Sequence, residues 1–116
     1  MTLQLSHQSW GRGPVKALML HGFTGSADGW NHLEPLLGDF FTVTAVDLPG
    51  HRGSPLPKAK GAQGYWETVD AVGAMIDEPQ VIVGYSLGAR IALGVALRFP
   101  SKVSRLIVES GTAGIR

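Results

Sequence analysis

Val81-Ile82-Val83-Gly84-Tyr85-Ser86-Leu87-Gly88-Ala89-Arg90-Ile91-Ala92 reads as a short buried strand, a serine between glycines, and the opening of an apolar helix. G-x-S-x-G between a strand and a helix is the nucleophile elbow. A serine hydroxyl is a poor nucleophile unless it is lifted out of the sheet and set before a helix N-terminus. The turn that does this is so sharp that a side chain at position 84 or 88 would clash with the neighbouring strand and helix. The alternative is an ordinary glycine-rich strand-to-helix turn. Finding the strand directly before Ser86 and the helix directly after it favours the elbow.

Working outward, Val15–Leu20 is a short apolar run suited to a strand buried on both faces. It ends in His21-Gly22-Phe23-Thr24-Gly25-Ser26, whose glycines let backbone N–H groups turn inward. Ala27–Leu37 is expected to be helical, with Trp30, Leu33 and Leu37 on one face. Asp28 is its candidate cap, and Pro35 shortens or kinks it. Phe40–Val46 is the next strand, ending at Asp47, and residues 48–63 form a long proline- and glycine-rich loop. Tyr65, Val69, Val72 and Ile76 fall at helical spacing. The helix after Ser86, with Ile91, Val95 and Phe99 on one stripe, is apolar nearly all round and is expected to be buried. Pro100 ends it, and Val103–Val108 is the last strand. Before Val15, residues 2–9 form a weak opening strand with Leu3 and Leu5 on one face, and Trp10–Pro14 is a turn.

Strands alternating with helices imply an α/β fold with a parallel sheet and helices on both faces. The loops after three strand ends, at His21–Ser26, Asp47–Ser54 and Tyr85–Arg90, then converge on one edge, where ligands bind in such sheets. A site for attack on an ester needs two N–H groups aimed at the developing oxyanion. The residue after the nucleophile, Leu87, gives one, and Phe23 in the earlier loop is the natural second. Arg90 lies one helical turn beyond Ser86 and is placed to bind a carboxylate. It reads equally as a surface arginine.

Composition narrows the class. The chain has 116 residues, 44% of them hydrophobic, with net charge +1 and no cysteine. That is one domain over residues 1–116 with a core, and it is not a disordered chain. It has no disulfide framework, no thiolate metal site and no cysteine nucleophile. Nothing in the charge points to nucleic acid, no apolar run reaches membrane-spanning length, and the N-terminus lacks a signal-peptide pattern. No metal or cofactor is called for, and a cytoplasmic location is expected.

Taken together, His21-Gly22-Phe23-Thr24-Gly25-Ser26, Asp47-Leu48-Pro49-Gly50-His51, Gly84-Tyr85-Ser86-Leu87-Gly88 and the ending Glu109-Ser110 resemble the N-terminal half of an α/β-hydrolase-fold protein. Within that superfamily the chain looks most like the 2-succinyl-6-hydroxy-2,4-cyclohexadiene-1-carboxylate synthases of menaquinone biosynthesis. H-G-F-T-G-S, the tyrosine before the serine, the arginine four residues after it and a tail of type E-S-x-x-x-G-[LI] carry that likeness, which runs from about Val15 to the end. The resemblance implies a doubly wound, mostly parallel sheet of the α/β-hydrolase type, truncated before the cap and the late strands. It implies Ser86 as the nucleophile-position serine relaying proton abstraction while pyruvate is eliminated. Phe23 and Leu87 would form the oxyanion hole. Tyr85, Arg90 and His21 would be the substrate-binding residues, Tyr85 and Arg90 facing substrate carboxylates and His21 standing in the oxyanion loop; Tyr85 reads alternatively as a core residue. The alternatives are a carboxylic-ester hydrolase of unspecified substrate, or a truncated, self-associating domain without catalysis.

Three departures from the family pattern stand out. Arg52 and Ala89 replace glycines. The triad partners, which follow the nucleophile in this fold, are absent: residues 87–116 contain no histidine and a single acid, Glu109. Glu109 is a candidate substitute acid or a plain strand-edge carboxyl. His51 on the long loop is placed to approach Ser86 or to pack locally, while His7 and His32 carry no signal. A histidine from a second copy is a further source, and an open sheet edge or uncovered face leads us to expect a homo-oligomer.

Overall fold

The computed structural model describes residues 3–23 and 25–109. Five strands form one sheet: β1 (His7–Gly11), β2 (Val15–Leu20), β3 (Phe41–Val46), β4 (Gln80–Tyr85) and β5 (Val103–Glu109), in the order β1-β3-β2-β4-β5. β1 is antiparallel to β3, and every other neighbour is parallel. The connections are a 3-10 helix (Ala27–Leu33) running into α1 (Glu34–Leu37), then α2 (Gly61–Ala74) and α3 (Leu87–Arg98). This is the doubly wound, mostly parallel α/β sheet that the alternation of elements predicts.

Period-two alternation sorts the strand side chains onto two faces. Leu18, Leu20, Val46 and Ile82 pack against Val69 and Val72 of α2 and Ile91 and Val95 of α3. Ala17, Met19, Val43 and Ala45 face the other way, under Trp10, Ala27, Trp30 and Leu33. β2 sits mid-sheet, and its residues from Ala17 to Leu20 are buried, as a strand covered on both sides must be.

Four local expectations need correction. The opening strand lies later than residues 2–9. Leu3 and Leu5 enter the core without a strand partner, and pairing with β3 begins only at His7, opposite Val46. Trp10 and Gly11 therefore belong to β1, not to a turn. The segment from Ala27 starts as a 3-10 helix, and Asp28 is not its cap. Asp47, from the end of β3, accepts the Ala27 N–H at 2.7 Å, while Asp28 accepts the Ser26 hydroxyl. Pro35 stands in the first turn of the short α1. Finally, α3 is not buried all round: Leu97 is 77% exposed and Arg90 and Arg98 face solvent. α3 packs on α2 and the sheet with one side only. The tail residues Ser110–Arg116 and Thr24 of the glycine-rich loop lie outside the described residues.

Candidate active site

β2, β3 and β4 run parallel, so the loops that follow them leave from one edge of the sheet. Ser86 sits at the end of β4 with φ 55° and ψ −113°, a backbone state that costs a non-glycine residue on the order of 1–3 kcal/mol. The surroundings enforce it. The Ser86 N–H donates to the Glu109 carbonyl at 2.9 Å, and the Ser86 carbonyl accepts from the Ala89 N–H at 3.0 Å to start α3. A Cβ at Gly84 would lie 2.4 Å from the Gly88 carbonyl oxygen, and one at Gly88 would lie 2.1 Å from that of Leu20. Both glycines are thus required by close backbone approach, while Ala89, one residue on, is fully buried in α3.

The loop after β2 presses against this serine. A Cβ at Gly22 would come within 3.3 Å of the Ser86 Cβ and 2.8 Å of the Tyr85 ring. Ser86 is half-buried, and its Oγ makes no hydrogen bond to a described residue. Among the described residues, the amides of Phe23 and Leu87 also donate to no partner. Unpaired N–H groups beside a strained serine are what an oxyanion site requires.

His21 holds the loop in place. Its ring is 4% exposed, Nε2 accepts the Leu48 N–H at 3.0 Å, and Nδ1 lies 2.6 Å from the Gly22 carbonyl. Since Nε2 accepts, Nδ1 carries the proton, so the ring is neutral and both nitrogens are engaged. Burial lowers its pKa below the ordinary histidine value, and the nearby His51 adds to that, against the Gly22 hydrogen bond and Asp47. His51 packs edge-on to His21 at 4.8 Å and to Phe23 at 5.9 Å between centroids.

Asp47, which the sequence marks as a loop start and as the head of the Asp47–His51 stretch, is the anchor of this edge. Its carboxylate accepts from Ala27 N–H and from the Ser6 hydroxyl at 2.6 Å. Its own carbonyl accepts the Ser54 hydroxyl at 2.6 Å, and Ser54 Oγ accepts the Ser6 N–H at 2.8 Å. Four chain segments meet there. The only sequence signal for it is a buried-type position filled by an acid directly after a strand.

Arg52 also has positive φ, at 50°, which explains why glycine suits the position. It pairs with Asp28 in the loop after β2. The Ser26 hydroxyl, followed by Arg52, holds the Asp28 carboxyl below the usual aspartate range.

Beside Ser86 a cleft of about 360 Å³ is lined by Phe23, Trp30, Val83, Tyr85, Ile107 and Glu109, among others. Tyr85 is 47% exposed and Phe23 73% exposed, so both side chains are available to a ligand. Arg90 is exposed on the first turn of α3 with no ion pair among the described residues. Of the four histidines, His21 and His32 line this cleft, and His7 lies on β1.

Known proteins share this arrangement. The chain matches the family described as "Alpha/beta hydrolase family" over residues 17–116. It is 37% identical over 98 residues to a pimeloyl-[acyl-carrier protein] methyl ester esterase of Neisseria meningitidis serogroup C, covering 84% of this chain and 37% of that protein. It is 32% identical over 101 residues to a putative 2-succinyl-6-hydroxy-2,4-cyclohexadiene-1-carboxylate synthase of Bacillus subtilis, covering 84% and 36%. The solved structure of MenH from S. aureus superposes with a TM-score of 0.77 at 27% identity, over 100% of this chain and 45% of that one. The chain thus spans little more than a third of the length of these curated relatives. With the match covering both the elbow and the loop that faces it, the chain belongs to the α/β hydrolase family.

Proposed function

We propose that this chain carries the nucleophile and oxyanion half of a serine-dependent carboxylic-ester hydrolase. The observation behind this reading is the strained backbone of Ser86, with its Oγ and the amides of Phe23 and Leu87 without hydrogen-bond partners among the described residues. Ser86 Oγ attacks the ester carbonyl carbon, and the charge that builds on the carbonyl oxygen is met by the N–H groups of Phe23 and Leu87. Each such donor contributes about 3 kcal/mol to the barrier reduction in comparable sites. Collapse expels the alcohol, and water then releases the acid from the acyl-serine. The hydroxyl needs a base. A histidine base must come from outside residues 87–116, which contain none.

A second reading, the pyruvate-eliminating synthase, draws on Arg90. A guanidinium one turn past Ser86, without an ion pair among the described residues, fits a substrate carrying carboxylates, with Tyr85 directly before the serine. Both readings place a small carboxylate or ester substrate at a serine-centred site in one domain. Both go with a protein of the cytoplasm. No helix among the described residues is long and apolar enough to cross a membrane. Self-association along the outer edge of β5 accompanies the proposal, and light scattering at micromolar concentration tests it by a mass above that of one chain.

A biotinylated fluorophosphonate followed by peptide mapping tests the hydrolase reading. Label on Ser86, lost in Ser86→Ala, together with Ser86-dependent release of p-nitrophenol from p-nitrophenyl acetate, is the expected result. Absence of label at Ser86 would overturn it. The synthase reading instead expects Arg90→Ala to weaken binding of dicarboxylates at least tenfold while leaving the acetate ester unaffected.

A further inference from the structure

A second recess lies on the opposite face of the sheet from the cleft, and Ser86 itself lines neither. It holds about 420 Å³ between the 48–60 loop and the facing sides of α2 and α3. Its lining includes Leu48, Pro57, Tyr65, Leu87 and Ile91. Leu87 joins it to the reaction centre, since that residue follows Ser86 directly in the chain and lines the recess. Leu48 joins it a second time, because its N–H is held by His21.

The recess is apolar in its chemistry as well as its lining. The Thr68 hydroxyl donates to the Gly64 carbonyl at 3.0 Å, and the Tyr65 hydroxyl donates to the Arg90 carbonyl at 2.7 Å. Neither proton is left to donate to a polar ligand, and Lys60 stands exposed at the rim. The outer wall is built in advance. Glu67 of α2 accepts the N–H groups of Lys58 and Ala59, each at 3.0 Å. Gly64 lets this wall close in, for a Cβ there would lie 2.6 Å from the Ala59 carbonyl oxygen. A preformed, concave, apolar space of this size is typical of small-molecule sites.

We infer that this recess is the acyl subsite: it takes an unbranched alkyl chain on the acid side of the ester, while the alcohol leaves through the cleft. The division follows from polarity. The departing alcohol is a hydrogen-bonding group, and the cleft offers polar side chains at Glu109 and His32, whereas the hydroxyl protons of the recess are already engaged. The inference rests on the hydrolase reading for the name of the arm. The recess itself can be probed without turnover.

The test uses 1-hexanol as probe and 13C-methyl NMR of Ile91, in the protein and in Ser86→Ala. Saturable shifts of the Ile91 δ1-methyl in both are expected. Ala59→Trp, a change on the outer wall that keeps the backbone bonds to Glu67, should fill the recess and abolish them. With p-nitrophenyl esters, kcat/KM should rise about fourfold per methylene from acetate to hexanoate, the equivalent of ~0.8 kcal/mol per buried CH₂. In Ala59→Trp the rise should vanish, with hexanoate turned over no faster than acetate. If hexanol shifts Ile107 and leaves Ile91 unmoved, or if Ala59→Trp keeps the chain-length slope, the recess proposal falls. If Ser86 takes no fluorophosphonate while Ile91 still responds to hexanol, the hydrolase reading fails and the recess remains an alkyl site.

Discussion

Arg52 and Ser86 are the two residues other than glycine with positive φ among those described, and they call for different explanations. Ser86 is held there by its hydrogen bond to Glu109 and by the crowding at Gly84 and Gly88. Arg52 sits in an exposed loop, where the compensation is an ion pair with Asp28. Exposed pairs contribute about 0–1 kcal/mol, while a left-handed backbone costs about 1–2 kcal/mol for a residue with a Cβ. Arg52→Ala therefore loses the pair and keeps the strain, and Arg52→Gly loses both. The glycine variant should be the more stable of the two by about 1 kcal/mol in urea denaturation, and equal midpoints would show that the loop relaxes freely. At the elbow the opposite holds. Gly88→Ala drives a methyl into the Leu20 carbonyl and should destabilise the fold by about 3 kcal/mol, read from the same transitions. The glycine requirement at 84 and 88 was legible in the sequence because it is local. The roles of Asp47 and Glu67 were not, since each binds backbone groups that chain order alone does not bring near.

At the scale of elements, the long loop after β3 is less free than its composition implies. His21 holds its first residues through Leu48, and Glu67 holds its last through Lys58 and Ala59. The two N–H groups, Ala59 before Lys58, depress the Glu67 pKa below the ordinary glutamate value, with the Lys58 charge adding a little. A carboxylate with a lowered folded-state pKa stabilises the fold above its unfolded pKa, and that contribution disappears as pH falls through the folded value. Acidification below the usual glutamate range should release residues 57–60, seen as faster amide exchange at Lys58 and Ala59, and Glu67→Gln should show little of this pH dependence. His21 gives the complementary case. Its folded-state pKa is lowered, so stability is full above the unfolded value near 6.5, declines as pH drops below it, and levels off under the folded value. His21→Gln should flatten that decline in a pH series of melting temperatures. The helices show where periodicity is a sound guide and where it misleads. Val69 and Val72 fell on the buried side of α2 as their spacing required. In α3, Leu97 has the right chemistry for burial but faces away from both α2 and the sheet. Hydropathy reports a side chain's preference, and packing decides whether it is met.

For the molecule as a whole, the two sheet faces are unequal. α2 and α3 cover the face of Leu18, Leu20 and Ile82, while the 3-10 helix and α1 reach only the β1–β3–β2 side of the other. Ile82 is fully buried and Ile107 is 50% exposed. Truncating Ile82 to alanine should lower stability by about 3–4 kcal/mol. The same change at Ile107 should cost under about 1 kcal/mol, and chemical denaturation of the pair measures the contrast. Fold class and the edge that carries the site were readable from alternating element types and from the loops that end the strands. Which face each helix covers, and how the opening segment joins β3, depended on pairings between distant residues.

The position of β2 has a consequence for how the protein is made. Its neighbours, β3 and β4, both follow it in the chain, so a nascent polypeptide emerging from the ribosome presents Val15–Leu20 with neither flank paired. β4 is complete only at Tyr85, and until then the most apolar strand stays open to association with other chains. Vectorial synthesis thus delivers the centre of this sheet before either of the strands that shelter it.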